Sequence, residues 1–378
     1  MFSWQKSSAA LFFAAALAAC ATPQARLPVA SPEQVEPQTQ AVMQLAVADA
    51  LAREERVRRL AFPILEENAE LCHKTGPLMG WRIGDAETVQ SLAKGLKKHH
   101  VTALGWDETP RLLSIAPGSP AEAAGLQVGD RLIGLAESQD EAETLRDLGK
   151  MLGKALQDWE DGDTITVAAS RDGERFETEL TPVEACKVRV VSSASNSINA
   201  HATTNTIAMY AGLLRVFPDD NDVAFVIAHE LAHVSQRHVR KGIRNSFATG
   251  VVLWGPPSYL LAGAFDWLTE WPAEKLGAQS PPLTTLVAQA ASSSVGSVGF
   301  EREADYIGLY MHVRAGRSPD GLENVFETFG TVSPRTSWLK VSHPVVPERL
   351  LHLQQTAEEI RAKQAAGEPL IPEGLTVE

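Results

Sequence analysis

Apolar residues recur at three- and four-residue steps from about Ala41 to Cys72, with charged residues between them. This spacing predicts an amphipathic helix, which Pro63 should interrupt because proline removes a backbone N–H. After Cys186 the spacing is mainly helical to the end. Between these sections lie short apolar runs bounded by Gly, Pro and Asp, which predict strands at residues 112–115, 131–135, 164–168 and 175–180. The pattern therefore predicts an α+β chain in which a β-rich section separates two helical ones.

The first twenty residues have the pattern of a bacterial signal sequence. A short apolar run ends at Leu17-Ala18-Ala19-Cys20, and it is too short to span a bilayer comfortably. These four residues resemble a lipobox, in which Cys20 carries the lipid, although a plain signal with an incidental cysteine is the alternative. Ala21, in place of an aspartate, favours the outer membrane. Because residues 21–40 are rich in Pro, Gln and Ala, we expect a flexible tether there.

Composition narrows the classes of function and the compartment. The chain has 378 residues, enough for two domains, and its net charge of -13 argues against nucleic acid as a partner. Assigning Cys20 to a lipid leaves Cys72 and Cys186 as the remaining cysteines. In an oxidising compartment this pair is predicted to form a disulfide, and two buried free thiols are the alternative. We expect a lipid-anchored protein on the periplasmic face of the cell envelope.

The motif HExxH occupies residues 229–233, within an apolar run of helical spacing. On a helix, His229 and His233 lie one turn apart on one face and can share a metal ion. Glu230 is then close enough to reach a metal-bound water without being a ligand. The alternative is a pair of buried core histidines, but a carboxylate in the middle of an apolar helix is costly to bury without a partner.

A second helical pattern supplies candidates for a third ligand. Catalytic zinc usually has three protein ligands and a water. Glu301 and Asp305 are four residues apart, hence on one helix face, and Gly308 close to that face would permit a close approach of the two helices. We predict Glu301 as the ligand and Asp305 as the acceptor that orients a ligand histidine. Glu303 should point elsewhere, and we expect His238 to be structural.

HExxH followed downstream by Glu-x-x-Ala-Asp resembles the HtpX- and BepA-like zinc metallopeptidases, metallopeptidase family forty-eight, to which the CAAX prenyl protease is related. The resemblance extends from about Ser195 to Leu350. It implies a mainly helical, gluzincin-type peptidase domain with a small edge sheet and one zinc ion per chain. Two further elements match this family: the substrate strand, with Ile198, Asn199 and Ala200, and the Ser/Thr-His-Pro…Arg element, with Ser342, His343, Pro344 and Arg349.

The resemblance also implies roles in peptide hydrolysis. Glu230 would act as general base, and His343 and Arg349 would stabilise the oxyanion. His343 has two other interpretations: it can occupy the fourth zinc position and silence the enzyme, or it can cap the turn before Pro344. The protein is then expected to be an endopeptidase, and the alternative is a peptide-binding chaperone or assembly factor whose zinc site is silenced.

The β-rich section carries a second resemblance. Ala116–Leu135 contains Pro-Gly-Ser-Pro-Ala, Ala-Gly-Leu and Gly-Asp in the order found in PDZ domains. Upstream, Leu104, Gly105 and Trp106 resemble the loop whose backbone amides bind a peptide C-terminal carboxylate. The resemblance implies a PDZ-like domain, and either peptide capture or a scaffolding role is consistent with it.

These inferences combine into one organisation. We expect a signal peptide at 1–20, a tether at 21–40, a helical segment at 41–77, a PDZ-like domain at 78–186, a peptidase domain at 187–365 and a tail at 366–378. The apolar stretch from Phe247 to Leu268 is broken by Pro256-Pro257, so a lid or a surface segment is favoured over membrane insertion. The expected function is zinc-dependent endopeptidase activity on misfolded or unassembled periplasmic and outer-membrane proteins. The envelope assembly machinery is a candidate partner.

Overall fold

The computed structural model describes residues 30–136, 141–242, 298–332 and 347–375. The predictions for Cys20, for the stretch 247–268 and for His343 lie outside these residues. By its contacts the chain divides after Met43, and the part of the first helix before this point is largely exposed. Among the residues described, no helix is both long enough and apolar enough to cross a membrane.

Helices and sheets both contribute, so the chain is α+β as predicted. The helices are α1 (Pro32–Glu66), α2 (Ala86–Leu92), α3 (Lys98–Ala103), α4 (Pro120–Ala123), α5 (Leu145–Ala155), α6 (Ala211–Val216), α7 (Asp220–Ser235), α8 (Val298–Arg314), α9 (Glu323–Val332) and α10 (Pro347–Ala366). The strands are β1 (Thr75–Leu78), β2 (Trp81–Gly84), β3 (Arg111–Ile115), β4 (Arg131–Leu135), β5 (Ile165–Arg171), β6 (Glu174–Leu180), β7 (Val183–Cys186), β8 (Arg189–Ser193), β9 (Ala200–Ala202) and β10 (Thr206–Tyr210).

The strands form three sheets. β2 to β6 pair in sequence order as a five-stranded antiparallel sheet, in which β3 to β6 occupy the four runs predicted from the apolar pattern. β1 and β7 form a separate, two-stranded antiparallel sheet. The third sheet has the order β8-β10-β9, with β8 parallel and β9 antiparallel to β10. Each sheet buries one face against helices, which is the usual reason for combining the two types of element.

The first helix differs from its prediction at both ends. It begins at Pro32, so residues 32–40 are helical and the predicted tether over 21–40 is wrong for them. It also continues through Pro63 to Glu66. Pro63 lies in the last turn, where it costs a single backbone hydrogen bond, and the complete burial of Ile64 and near-complete burial of Leu65 stabilise that turn.

This helix belongs to two hydrophobic cores rather than forming a separate segment over 41–77. Val47 and Ala50 pack in a cluster with residues of α2, α3 and β3. About two to five turns later, Val57, Leu60 and Ile64 lie in the largest core, together with α6 to α10 and the three-stranded sheet. A rigid helix thus connects the β-rich section to the helical section.

A buried carboxylate fixes this helix in place. The Glu54 side chain is fully buried and accepts hydrogen bonds from the backbone N–H and the hydroxyl of Ser192 on β8, at 3.0 and 2.8 Å. Arg58 donates to the same carboxylate at 3.3 Å, and Arg82 of β2 lies 3.6 Å from it. One carboxylate therefore links α1 to both neighbouring sheets.

The predicted disulfide is present: Cys72 and Cys186 are bonded, across a sequence separation of 114 residues. It lies at the β1–β7 pair, where Thr75 is opposite Cys186.

The disulfide should contribute strongly to stability. Replacing both Cys72 and Cys186 by Ser should lower the free energy of unfolding by about 4–5 kcal/mol, because the bond closes a long loop in the unfolded chain. Denaturation curves of the wild-type protein with and without reductant, beside the double variant, measure this. An unchanged midpoint in all three would contradict it.

Replacing Glu54 by Ala should lower the free energy of unfolding by about 3–5 kcal/mol, because Arg58 would remain buried without its counter-ion. The matched control is Glu55→Ala, since the Glu55 side chain is 48% exposed and pairs with Arg59 at the surface. That change should cost less than about 1 kcal/mol. Urea denaturation compares the two variants, and equal losses would show that the burial of Glu54 is unimportant.

Candidate metal centre

The HExxH residues lie on α7, a helix that is almost wholly buried. Its N-terminus is capped by the Asp219 side chain, and Asp220 in its first turn pairs with Arg56 and Arg59 of α1. His229 and His233 are four residues apart on the same face, and their Nε2 atoms are 3.1 Å apart. The helix therefore presents both imidazoles to one point.

Glu301 on α8 reaches the same point. Its carboxylate oxygens lie 3.5 Å from His229 Nε2 and 3.4 Å from His233 Nε2. Within the described part of the chain, these three buried residues form a group whose ligand atoms all lie within 4.8 Å of one another. Two imidazole nitrogens and one carboxylate oxygen are a donor set that suits a divalent transition metal, and three protein ligands leave coordination positions open for water or substrate. The residues fit a metal ion.

Gly308 allows α8 to approach α7 this closely. A Cβ added at Gly308 would lie 2.9 Å from the Cα and 3.0 Å from the backbone nitrogen of His229. Real Cβ atoms do not approach backbone so closely, so a larger residue would separate the helices. The close approach predicted from the sequence is present, and it occurs at the first histidine of HExxH.

Asp305 and Arg349 surround the group with buried charge. Asp305 lies 3.0 Å from His229 Nδ1. Arg349 on α10 donates to both oxygens of Asp305, at 2.7 and 2.8 Å, and lies 3.0 Å from Glu301. The guanidinium thus contacts two carboxylates and orients Asp305 and Glu301. Arg349 also lines the cavity beside Glu230, so the oxyanion role predicted for it stays a prediction.

These contacts shift the pKa values of His229 and Asp305. Burial alone would lower the pKa of His229, but the hydrogen bonds and charges of Asp305 and Glu301 raise it to about 10. Burial would raise the pKa of Asp305, and Arg349, followed by His229, keeps it below its usual range. The Asp305 carboxylate therefore favours positive charge at this point, either a proton on His229 or a cation.

Glu230 lies beside the group, 2% exposed, and lines a small cavity of about 40 Å³ together with His229. Asn199 and Ala200 form one wall of this cavity, and the other wall is aromatic, formed by Phe225, Phe326 and Phe329. The strand itself is shorter than predicted: β9 includes Ala200, whereas Ile198 and Asn199 precede it. The Asn199 carbonyl still accepts from the Tyr210 N–H at 3.3 Å, so the pairing extends to it.

Sequence reasoning assigned no role to Tyr210. Burial, followed by the charge of Glu230, raises the pKa of its hydroxyl. Its position at the end of β10 depends on strand pairing, which no local motif indicates.

His238 and Glu303 form a second set of contacts behind the group. His238 Nδ1 lies 2.8 Å from His233 Nδ1, and His238 Nε2 lies 3.0 Å from Glu303. Glu303 does point away from the three candidate ligands, as predicted. Its contact with His238 was not predicted, because the two residues are 65 positions apart in the chain.

The carboxylate-binding loop predicted at residues 104–106 is contradicted by its hydrogen bonds. The amides of Leu104 and Trp106 donate to the Val101 carbonyl, and that of Gly105 donates to Thr102. Leu104 and Trp106 also pack against the hydrophobic cluster that contains Val47 and Ala50 of α1. These amides end helix α3 and are not available to a peptide carboxylate.

Comparison with known proteins agrees with this geometry. Residues 177–357, which contain HExxH and Glu301, match the profile of Peptidase family M48. These residues belong to that family. The M48 match begins ten positions before the start predicted for the peptidase domain, within β6.

Several M48 peptidases are similar to this chain. The beta-barrel assembly-enhancing protease of Escherichia coli (strain K12) is 24% identical over 250 residues, which cover 59% of this chain and 49% of that protein. The metalloprotease LoiP of the same organism is 30% identical over 162 residues, covering 42% of this chain and 59% of LoiP. The mitochondrial metalloendopeptidase OMA1 of Arabidopsis thaliana is 32% identical over 124 residues, which cover 33% of this chain and 22% of OMA1. The chain thus spans about half the length of the assembly-enhancing protease.

Among solved structures, the HtrA3 PDZ domain bound to a phage-derived ligand aligns with 29% of this chain and 88% of its own, at 14% identity and a TM-score of 0.21. We draw no conclusion from a similarity at this level.

Replacing Gly308 by Ala should displace α8 from α7, because the added Cβ meets the backbone of His229. We expect a loss of about 1–3 kcal/mol in the free energy of unfolding and weaker metal binding. Gly299→Ala is the matched control on the same helix, since a Cβ there meets no described atom within 4 Å. Thermal denaturation and zinc titration of both variants test this, and equal behaviour of the two would disprove the packing role of Gly308.

Proposed function

We propose that this protein is a zinc-dependent endopeptidase of the bacterial envelope. The observation that carries the proposal is the convergence of His229, His233 and Glu301 from two helices, with the carboxylate of Glu230 beside them. A buried metal-binding group without a catalytic purpose has no need of a further carboxylate in the adjoining cavity. The M48 relatives named as metalloprotease and metalloendopeptidase support the same assignment.

The proposed chemistry is hydrolysis of a peptide bond. A single zinc ion held by His229, His233 and Glu301 would polarise the scissile carbonyl and lower the pKa of a bound water. Glu230 takes the proton from the attacking water and passes it to the leaving amine. Asp305 accepts the hydrogen bond of His229 Nδ1 and so keeps its Nε2 directed at the metal. Arg349 holds Asp305 and Glu301 in place.

A substrate chain would bind in extended form along β9. This strand pairs with β10 on one side, and no described strand pairs with its other edge. Ala200 and the preceding Asn199 line the cavity that contains Glu230. Addition of a peptide to this edge would place its backbone next to the metal group, with the main-chain hydrogen bonds of strand addition supplying affinity.

We propose His343 and Arg349 as the oxyanion donors, and Arg349 lines the cavity that contains Glu230. The proposal rests on the Ser342-His343-Pro344 sequence that precedes α10. The alternative is that His343 occupies the fourth position on the metal and represses the enzyme. The two roles predict opposite effects of its removal.

We further propose a compartment and a substrate class. The protein would be lipid-anchored at the outer membrane, which the lipobox at Cys20 and the oxidised pair Cys72–Cys186 support. It would act on misfolded or unassembled envelope proteins, which the name of the Escherichia coli relative, a beta-barrel assembly-enhancing protease, supports. We retain a PDZ-like domain over 78–186, supported by its motif and by the five-stranded sheet, with a scaffolding role because the loop at Leu104 has no free amides.

The test compares zinc content and casein cleavage in the wild-type protein and Glu230→Gln. The variant should keep one zinc ion per chain, because Glu230 is not among the ligands, and should lose about 100- to 10,000-fold in cleavage rate. Glu358→Gln, which removes the same charge from an exposed position on α10, should cleave as the wild type does.

Two results would reject the endopeptidase. A folded protein without zinc would exclude the metal site, and zinc-bound protein whose cleavage is unaffected by Glu230→Gln would exclude the general base. His343→Ala in the same assay separates the alternatives for that residue. Loss of cleavage supports oxyanion stabilisation. Cleavage that appears only in His343→Ala would instead support a binding protein with a silenced site.

A further inference from the structure

We propose that Glu303, acting through His238, sets the tautomer of His233 that can bind the metal. Both are positioning residues, since neither is among the three candidate ligands. The inference rests on the proposed zinc site and adds to it a carboxylate outside the HExxH and Glu-x-x-Ala-Asp ligands. It identifies how His233, the second histidine of HExxH, is oriented. Asp305 contacts only the first histidine, His229.

The argument begins with the two ring nitrogens of His233. Its Nε2 faces Glu301 and His229, and its Nδ1 lies 2.8 Å from Nδ1 of His238. A contact of this length between two imidazole nitrogens requires one proton between them, with one ring as donor and the other as acceptor. The side that carries this proton decides which nitrogen of His233 has a free lone pair.

Glu303 decides the side. Its carboxylate lies 3.0 Å from His238 Nε2, and an ionised carboxylate can only accept. His238 Nε2 therefore donates to Glu303, and His238 Nδ1 is the acceptor in the contact with His233. His233 must then donate from Nδ1, which leaves its Nε2 lone pair for the metal. If His238 carried its proton on Nδ1 instead, His233 would be protonated on Nε2 and could not be a ligand.

The position of His238 is fixed independently of these hydrogen bonds. The ring is fully buried and stacks on Phe300, with centroids 4.7 Å apart and planes at 20°. The backbone before it is unusual: Arg237 has a φ of 52°, in the left-handed region that disfavours side chains. A continuous helix would place residue 238 about 140° around from His233. The left-handed backbone at Arg237, two residues after the end of α7, changes the direction of the chain, so that the ring of His238 contacts the ring of His233.

A left-handed residue directly after the C-cap is a common way to end a helix. Here the resulting turn brings together two rings that are five residues apart in the chain.

The two ligand histidines are thus oriented by different means. His229 Nδ1 lies 3.0 Å from Asp305, which is buried and bound by Arg349. His233 is oriented through an intermediate ring by Glu303, whose side chain is 40% exposed and borders a cavity of about 550 Å³. Glu303 can therefore be replaced without placing a strained group in the core, which makes it the better site for a test.

The experiment measures the zinc dissociation constant by chelator competition and the visible absorption spectrum of the cobalt-substituted protein. Glu303→Ala and His238→Phe should weaken zinc binding about 10- to 100-fold, as loss of an outer hydrogen-bond partner does, and should shift the cobalt bands. Glu303→Gln retains an acceptor for His238 Nε2, and His238→Gln retains an acceptor for His233 and a donor for Glu303. Both should keep most of the affinity that their partner variants lose.

The control is Glu358→Ala, which removes an exposed carboxylate from α10 and should leave the affinity and the spectrum unchanged. Circular dichroism of each protein after zinc removal checks folding, and Glu303→Ala decides the result if His238→Phe does not fold. Wild-type affinity in Glu303→Ala, or equal losses in Glu303→Ala and Glu303→Gln, would overturn the proposal while leaving the zinc site in place. A wild-type protein that binds no zinc would overturn both.

Discussion

The site depends on the close contact between α7 and α8. The ligand residues His229 and His233 lie on one helix and Glu301 on the other, so the distance between the helices determines whether the three side chains can share an ion. Gly308 sets this distance, because its missing side chain lets α8 rest against the backbone of His229. The Glu301 side chain is too short to compensate for a larger distance between α7 and α8. The glycine is therefore as necessary to the geometry as the ligands are.

Buried charge follows from the same contact. Once the helices touch, Glu301 and Asp305 are removed from water, and isolated carboxylates in such a position would be unstable. Arg349, contributed by the last helix, neutralises both and fixes their direction. The HExxH helix is in turn held at its start by Arg56 and Arg59 of α1, while Glu54 of α1 holds the sheet that contains β8. Long-range ion pairs thus position each element that brings a residue to the site.

One assignment changed because the backbone groups concerned already had partners. The amides of residues 104–106 have the sequence of a carboxylate-binding loop, but they close a helix. The first helix also differs from its prediction: it continues beyond Pro63 to Glu66, because Ile64 and Leu65 are buried there. In each case the tertiary neighbours decided the outcome.

The sequence by itself determined the α+β class, the four strands at residues 112–180, the Cys72–Cys186 pair and the grouping of His229, His233 and Glu301. The class, the strands and the pairing of His229 with His233 depend on local spacing, because helical and strand periods place residues on faces. The Cys72–Cys186 pair follows instead from the cysteine count, and Glu301 from its own helical motif and the family that this motif resembles. Only the tertiary structure decided the partners of Arg349, the two cores shared by α1 and the contact of Glu303 with His238. Those contacts join residues tens to hundreds of positions apart, and their geometry arises from packing between elements, which no local pattern in the chain encodes.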